Sequence, residues 1–410
     1  MAGRAGSPAV MAATAAMAAV TAAALLVAGC GSPHGGSSLG GGAGPGAARP
    51  PSLSTSFSAG NGTSVAILEM GGSSAQHNNF WQLFARPAAT ANWKLVTPLG
   101  VADNGGLVVA TSRARSLVTG FRPSQDLTFS PVASSADDGP PWSQGAPVEP
   151  GLADAPDALA AGPDGRLIAL TTAGRAQLGT HLGAEWTNLA SSRSLARTAA
   201  GRACGLTRLT AAGFAAGGAA LLAGDCAKPG VAGIFALRGG GWQAAGPALP
   251  ASLARSQVAV LGLSAAGTQT TALLQVGSGP AASTMVAWSA TGASSAAGGP
   301  PTAGGPHWNL SALLRTGPAG VRSAAVWAAG AAGLVLAGGR GDTIAGPGHG
   351  WLQLAPLPAG TQTLAAGPPG QVDALAAAGS RLTDWRLAPG SSSWKVTQTI
   401  QVAIPYGSSG

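Results

Sequence analysis

The sequence is poor in charged, aromatic and metal-binding side chains. Only 9% of its 410 residues are charged and 5% are aromatic, and Tyr406 is the single tyrosine. The histidines are scattered without the spacing of metal ligands, so we expect no bound metal. They are His34, His77, His181, His307 and His349. No glycine-rich loop lies between a strand and a helix, so we expect no phosphate-binding cofactor either.

Basic residues outnumber acidic ones, 22 to 14, which gives a net charge of +8. The densest basic patch contains Arg193, Arg197, Arg202 and Arg208. No aromatic residues are interleaved with these arginines and no nucleic-acid motif is present, so we expect no nucleic-acid partner. The patch is interpreted as a solvated loop, with contact to anionic lipid headgroups or to a wall polymer as the alternative.

The first 29 residues read as an export signal. Arg4 is followed by an apolar stretch of about 20 residues, which ends in Leu26-Val27-Ala28-Gly29-Cys30. This ending resembles the lipobox of bacterial lipoproteins. The resemblance implies that residues 1–29 are removed, that Cys30 is acylated, and that the protein is held on the outer face of the cell membrane. An ordinary signal peptide or a transmembrane anchor is the alternative.

Residues 30–56 consist largely of glycine, serine and proline. This composition predicts a disordered linker between the acylated cysteine and a folded domain of residues 57–410. No second long apolar segment follows, so the folded domain is expected to lie outside the cytoplasm.

Two cysteines remain in that domain, Cys204 and Cys226. The segment between them reads as strand, turn, strand, with the turn around residues 214–217. Both cysteines are equidistant from residue 215, so a hairpin folded there places them opposite each other, at a separation that a disulfide can span. An exported protein with an even pair of cysteines favours this disulfide, and two buried free thiols are the alternative.

Seven tryptophans mark seven similar units, at intervals of 49, 44, 56, 66, 43 and 43 residues. They are Trp93, Trp142, Trp186, Trp242, Trp308, Trp351 and Trp394. The third unit shows the pattern most clearly, with strands predicted at 157–162, 166–172, 176–182 and 186–189, and with turns at Asp164-Gly165 and Ala173-Gly174. Four strands per repeat predict an all-β fold, a seven-bladed β-propeller of four-stranded antiparallel blades.

The second unit carries a recognisable motif between its third and fourth strands. Ser135, Asp137, Gly139 and Trp142 fit the pattern Ser-x-Asp-x-Gly-x-x-Trp. The chain therefore resembles the Asp-box (BNR-repeat) propellers, a group that includes sialidases, other glycosidases, sorting-receptor ectodomains and a photosystem II assembly factor. In that group the motif is structural: the Asp and Ser side chains bind turn amides and the Trp packs in the core.

The residues of sialidase chemistry are not present as a set. That chemistry needs three arginines, a Tyr–Glu nucleophile pair and an Asp acid/base. The single tyrosine of this chain is Tyr406, four residues before residue 410. The glutamates after the leader are Glu69, Glu149 and Glu185. For a general two-carboxylate hydrolysis the candidate acids are Asp103, Asp154, Asp157, Asp342 and Asp373. No spacing pairs them, so no catalytic residue is assigned.

Three functions remain open on sequence alone. The first is an exported, lipid-anchored propeller that binds an envelope protein or a glycan. The second is an Asp-box-propeller glycoside hydrolase of unknown specificity, and the third is a purely structural envelope protein. Absence of a recognisable catalytic set favours the first of these, a binding or scaffold domain.

Overall fold

We analysed a computed structural model of the chain. The described residues are 23–25, 49–57, 63–71, 79–87, 90, 92–98, 107–111, 117–121, 132–135, 140–144, 156–162, 164–171, 173–179, 186–215, 218–266, 269–290, 307–327, 332–344, 349–367 and 371–402. Over these residues the fold is all-β, with antiparallel pairing between strands that follow one another in the chain.

The strands form successive sets of four, numbered here as sets 1 to 7. Set 1 is β2 (Arg49–Phe57), β3 (Ser64–Gly71), β4 (Asn79–Arg86) and β5 (Lys94–Leu95). Set 2 is β6 (Leu107–Thr111), β7 (Leu117–Phe121), β8 (Val132–Ser135) and β9 (Ser143–Gln144). Set 3 is β10 (Pro156–Ala161), β11 (Leu167–Thr171), β12 (Arg175–Gly179) and β13 (Trp186–Ser191). Set 4 is β14 (Leu206–Phe214), β15 (Ala220–Cys226), β16 (Gly233–Arg238) and β17 (Gly241–Ala244).

The later sets follow the same order. Set 5 is β18 (Val258–Ala266), β19 (Gln269–Val276), β20 (Ser283–Ala290) and β21 (His307–Leu310), with the short β22 (Leu314–Arg315) also paired to β20. Set 6 is β23 (Val321–Trp327), β24 (Ala332–Ala337), β25 (Arg340–Ile344) and β26 (Leu352–Gln353). Set 7 is β27 (Thr363–Ala366), β28 (Val372–Ala378), β29 (Arg381–Leu387) and β30 (Lys395–Gln401).

Sets 2 and 5 are joined by a three-residue strand of the leader, β1 (Ala23–Leu25). It pairs antiparallel with the end of β18 and meets β6 at Thr111. The result is one ten-stranded sheet beside five four-stranded sheets.

In the described part of the chain, helical structure lies in the links and turns. α1 (Ser192–Ala196) and α2 (Ala199–Cys204) lie between sets 3 and 4, and Ala251–Leu253 and Gly279–Ala281 are single 3₁₀ turns. Ser191 and Thr198 cap the two α-helices by accepting amides of the first turn. The predicted solvated loop around Arg193 and Arg197 is therefore a helical link, because these caps satisfy the amides that a loop would leave to water.

The sequence prediction for set 3 agrees with these bounds to within a few residues. Gly165 has φ of +82°, as the predicted turn requires. Asp164 accepts the amide of Arg166, so this aspartate is a local turn residue. At the other end of the domain β2 begins at Arg49, eight residues before the predicted boundary at 57. Composition suggested a linker there, but pairing with β3 and burial of Leu53 incorporate this serine-rich segment into a sheet.

Alanine-rich strands bury side chains on both faces, because neighbouring sheets pack on one another. Strands β11 and β24 are buried along their whole length, whereas the fourth strands β17 and β30 are largely exposed. Separate apolar cores join sets 1 and 2, sets 2 and 3, sets 3 to 5, sets 5 and 6, and sets 6 and 7. Small side chains allow this close stacking, so packing overrides the helix preference of alanine.

A further core joins the last set to the first. Leu68, Phe84 and Trp93 of set 1 pack with Leu375 and Leu382 of set 7. The C-terminal β30 pairs only with β29 among the described strands, so it completes set 7 and adds no strand to set 1. The two ends of the domain are therefore joined through side chains, across an interface between two complete sheets.

Each of the seven repeat tryptophans lies at the start of a fourth strand, and four of them bind the preceding set. The indole Nε1 donates to a backbone carbonyl that follows the preceding tryptophan by three or four residues. These bonds are Trp142 to Val96 (2.8 Å), Trp308 to Ala245 (2.8 Å), Trp351 to Ala312 (2.9 Å) and Trp394 to Ala355 (3.3 Å). The tryptophans thus form inter-sheet contacts that repeat along the chain. Each ring packs as an apolar group, while its indole N–H needs a hydrogen-bond acceptor and finds one on the preceding set.

The structure places Cys204 and Cys226 at disulfide distance, with Cα atoms 5.2 Å apart. The predicted route to this pairing was wrong. Cys204 ends α2, and Cys226 faces Leu206 across the hairpin. Phe214 pairs with Ala220, so the hairpin turns around residue 217, and Leu206 rather than Cys204 lies opposite Cys226.

We expect this link to stabilise the α1–α2 insertion. The two cysteines are 22 residues apart, and closing a loop of that size contributes about 3 kcal/mol. Reductant should lower the thermal midpoint of the full chain, as followed by circular dichroism. The matched control is the double variant Cys204→Ser/Cys226→Ser, whose lower midpoint should not respond to reductant. An equal response of both proteins would contradict the link.

Candidate functional site

The candidate acids predicted from sequence are not brought together. Asp157 is exposed on β10, Asp342 is buried on β25, and Asp373 is buried on β28, so they belong to three different sheets. Asp103 and Asp154 lie outside the described residues. The three described acids therefore provide no carboxylate pair within one sheet.

The sequence that fits the Asp-box pattern begins at the end of β8 and ends just before β9. Ser135 is buried at the end of β8, and Trp142 precedes β9 with its indole bound to set 1. Asp137 and Gly139 lie outside the described residues, so their turn contacts stay a prediction.

The most concentrated buried charge lies between set 1 and set 7. Arg86, 2% exposed, ends β4 and forms an ion pair with Asp373, which is fully buried at the start of β28. Arg386 of β29 donates from Nε to the same carboxylate at 3.1 Å. Asp373 is therefore held between two guanidinium groups, one from each side of the interface.

Neutral groups complete the surroundings of Arg86. Its Nη2 donates to Ser64 Oγ at 2.9 Å, and Ser64 Oγ donates to the carbonyl of Ala366 at 2.6 Å. The guanidinium carbon lies 5.1 Å from the centre of the Trp93 ring, a cation–π distance. Burial lowers the pKa of Arg86 to about 10, with Asp384 opposing the shift, so the group stays charged at neutral pH.

A second polar contact crosses the same interface. The backbone amide of Trp93 donates to Gln398 Oε1 at 2.6 Å, and Gln398 Nε2 donates to the carbonyl of Trp93 at 3.0 Å. Gln398 follows Trp394 by four residues. In the other sets, the carbonyl that accepts from the next tryptophan follows its own tryptophan by three or four residues. Close by, Asp384 accepts from Thr397 Oγ1 at 2.5 Å, and burial raises its pKa against that hydrogen bond and the two arginines.

We call Arg86, Asp373, Asp384 and Arg386 the junction cluster. Its carboxylates are buried and face arginines of their own interface, so they are placed to hold sets 1 and 7 together rather than to transfer protons to a ligand. Sequence reasoning assigned Asp373 as a candidate acid and missed Arg86. The available signal was an arginine at the end of the apolar strand sequence "FWQLFAR", since such a residue is seldom buried without a partner.

Removing one partner of the junction cluster should be costly. We expect Arg86→Met to lower the free energy of unfolding in urea by about 3–5 kcal/mol, because Asp373 loses its partner from set 1. The double variant Arg86→Met/Asp373→Leu should lose less than the sum of the two single variants.

The exposed Arg381→Met, in set 7, provides the control and should change stability by less than about 0.5 kcal/mol. Additive losses in the double variant would show that Arg86 and Asp373 do not interact.

Asp342 is a second buried carboxylate, outside the junction cluster. It is 4% exposed, and its Oδ2 has no hydrogen-bond partner among the described residues. Burial raises its pKa, and Arg340 opposes the rise. The tripeptide Arg340-Gly341-Asp342 consequently cannot present its carboxylate to a partner as an adhesion motif does.

The raised pKa of Asp342 predicts a pH-dependent cost. The native state keeps this proton at pH values where the unfolded chain, with a pKa near 3.9, has lost it. Stability from this group therefore falls as pH rises from about 4 through the native pKa. We expect Asp342→Asn to raise stability at pH 7 and to match the native chain near pH 3.5. Urea unfolding at the two pH values tests this, and an equal difference at both would contradict it.

Among the described residues, one edge of the sheets carries most of the exposed positive charge. This edge contains the links between sets and the turns between second and third strands, because adjacent strands alternate in direction. Its exposed cations are Arg175, Arg193, Arg197, Arg202, Arg208, Lys228, Arg255, Arg315, Arg322, Arg340 and Arg381. On the opposite edge the exposed cations among the described residues are Lys94 and Lys395.

The seven cations from Arg175 to Arg255 on this edge occupy one hydrogen-bonded surface, which we call the basic platform. Ser192 at the start of α1 donates its amide to Gly174, beside Arg175. The amide of Lys228 donates to Cys204 at the end of α2, and the amide of Gly230 donates to Ser256, beside Arg255. Arg208 Nε pairs with Asp225 at 2.5 Å but keeps 73% of its side chain exposed. The cations are thus carried by elements fixed to one another.

Among the described residues, no group of three histidine, cysteine, aspartate or glutamate side chains could hold a metal ion. In the same part of the chain, no helix has the length and apolarity needed to cross a membrane.

Solved structures with a similar fold are known, and their sequence identity to this chain is low. No family model and no curated protein matches the chain. A structure of YCF48 bound to a D1 peptide is 14% identical, with 82% of this chain and 93% of that chain covered and a TM-score of 0.47. A protein from Lactobacillus plantarum is 10% identical, with 79% and 92% covered and a TM-score of 0.48. The six-bladed β-propeller fucose lectin of Aleuria aurantia is 11% identical, with 88% and 97% covered and a TM-score of 0.37. At these identities and TM-scores no ligand, partner or blade number is transferred to this chain.

Proposed function

We propose that the protein is an exported, lipid-anchored β-propeller whose folded domain serves as a binding or scaffold module at the cell envelope. The architecture in this proposal is a closed ring of seven blades, each blade being one set of four strands. The observation that carries it is the interface between sets 7 and 1, which has an apolar core, the junction cluster and the Gln398–Trp93 contacts.

Equivalent contacts support the closure of the ring. Tryptophans of sets 2, 5, 6 and 7 each bind the preceding set, and Gln398 of set 7 reaches the backbone of Trp93 from the corresponding position. The interface between the last and first sets therefore repeats the placement of the others. Removal of residues 1–29 would take β1 out of the ten-stranded sheet and leave sets 2 and 5 as separate four-stranded blades.

The anchor rests on the lipobox-like sequence ending at Cys30, followed by the linker. A propeller standing on such a tether presents its two edges to neighbouring molecules, and a binding role requires no catalytic set. The positions of Asp157, Asp342 and Asp373 in three sheets give no support to the hydrolase alternative. Turnover in a panel of chromogenic glycosides by the purified protein would contradict the binding role.

Acylation can be tested with the chain's own cysteines. In bacterial cells supplied with an alkyne-tagged palmitate analogue, the native chain should take up label and partition into the detergent phase of Triton X-114. Cys30→Ser should lose both properties, because its hydroxyl replaces the acceptor thiol. The control Cys204→Ser/Cys226→Ser should keep both. A native chain that is unlabelled and recovered from the aqueous phase would overturn the anchor.

A further inference from the structure

We infer that the basic platform docks on anionic phospholipid headgroups of the membrane that carries the anchor. This inference rests on the proposed lipid anchor and adds an orientation to it: the propeller lies with this edge toward the bilayer. Arginine dominates the platform, and its planar guanidinium donors suit phosphate oxygens.

On the described part of this edge, the cations of the platform outnumber the acids of sets 3 and 4. Among the described residues of the platform, Asp225 is half-buried and bound to Arg208. Asp157 is the exposed acid of set 3 on this edge, and Glu69 is half-buried in set 1. Asp103, Asp126, Glu149 and Asp154 lie outside the described residues. Positive charge is thus concentrated over sets 3 and 4 and continues along the same edge through Arg315, Arg340 and Arg381.

The platform is built from ordered elements, which favours docking on an extended surface such as a bilayer. The helices that carry Arg193, Arg197 and Arg202 are capped at their starts, packed on β14 and held near β15 through Cys204. Arg202 also donates to the carbonyl of Arg197. Because the platform is ordered without a ligand, little conformational entropy is lost when headgroups bind it.

The tether brings the platform to the bilayer. Strand β2 begins at Arg49 on the same edge, since Arg49 pairs with Gly71 at the end of β3, beside the turn to the third strand. Residues 31–48 separate it from Cys30, so this edge stays within roughly 65 Å of the anchor even for a fully extended chain. A coil of that composition has a mean span of about 25 Å. The anionic surface is therefore present at high effective concentration, and attraction acts within about 8 Å of contact at physiological salt.

The test uses the full chain, expressed in bacteria, extracted in detergent and reconstituted into vesicles. One set of vesicles is pure phosphatidylcholine, and the other contains about one-third phosphatidylglycerol. Backbone amide exchange is measured by mass spectrometry over residues 192–209, 226–232 and 252–257. We expect amide exchange in these segments to be slower by about threefold or more on the anionic vesicles than on the neutral ones. The difference should disappear in about 0.5 M salt.

Charge variants assign the effect to the platform. Arg193→Gln/Arg197→Gln/Arg202→Gln should abolish the difference between the two vesicles, whereas Lys94→Gln/Lys395→Gln, on the opposite edge, should keep it. Thermal unfolding checks the fold of each variant, and Lys228→Gln/Arg255→Gln replaces the triple variant if that variant is unstable. Equal exchange on both vesicles would overturn the inference, as would protection by soluble polyphosphate without protection by vesicles.

Failure of the anchor can be distinguished from failure of the platform. A protein without acyl chains would not float with neutral vesicles but would still float with anionic vesicles through its platform. An acylated protein that floats with both and shows the same exchange on both would retain the anchor and refute the docking.

Discussion

A sheet that buries both of its faces must have a neighbour on each side, and this constraint shapes the whole domain. Interior strands such as β11, β24 and β28 leave almost no side chain exposed, so none of these sheets is stable alone in water. A linear stack would leave the outer faces of its first and last sheets uncovered. Leu68, Phe84 and Trp93 of set 1 pack with Leu375 and Leu382 of set 7, so these two sheets cover apolar surface of each other.

The last-to-first interface differs from the others because no chain connection crosses it. Covalent continuity holds every other neighbouring pair at short range, whereas sets 1 and 7 have to find each other across the length of the domain. The junction cluster supplies directional contacts at this place, with Asp373 between Arg86 and Arg386 and Gln398 bound to the backbone of Trp93. Buried charge costs desolvation free energy, so its use here points to a gain in specificity of closure rather than in net stability.

The two edges of the sheets have different charge because they are built from different parts of the repeat. Links between sets and the turns that begin third strands carry Arg175, Arg255, Arg340 and Arg381, while the opposite edge begins fourth strands with tryptophan and lysine. Because the repeats place most of their exposed basic residues on the same edge, the described part of the domain has one edge that is more positively charged than the other. The helical insertion between sets 3 and 4 adds three arginines to the edge that is already basic.

The sequence alone determined the features that repeat or act locally. Spacing of the tryptophans predicted where fourth strands begin, and turn residues placed the strands of set 3, because each depends on residues close together in the chain. Register in the Cys204–Cys226 hairpin, inclusion of Arg49–Phe57 in a strand, and the junction of Arg86 with Asp373 were decided by tertiary structure. The bulges between β14 and β15, the pairing of β2 with β3, and the contact of Arg86 with Asp373, 287 residues away, all depend on which strand packs on which. The residues next to these positions in the chain do not specify that neighbour.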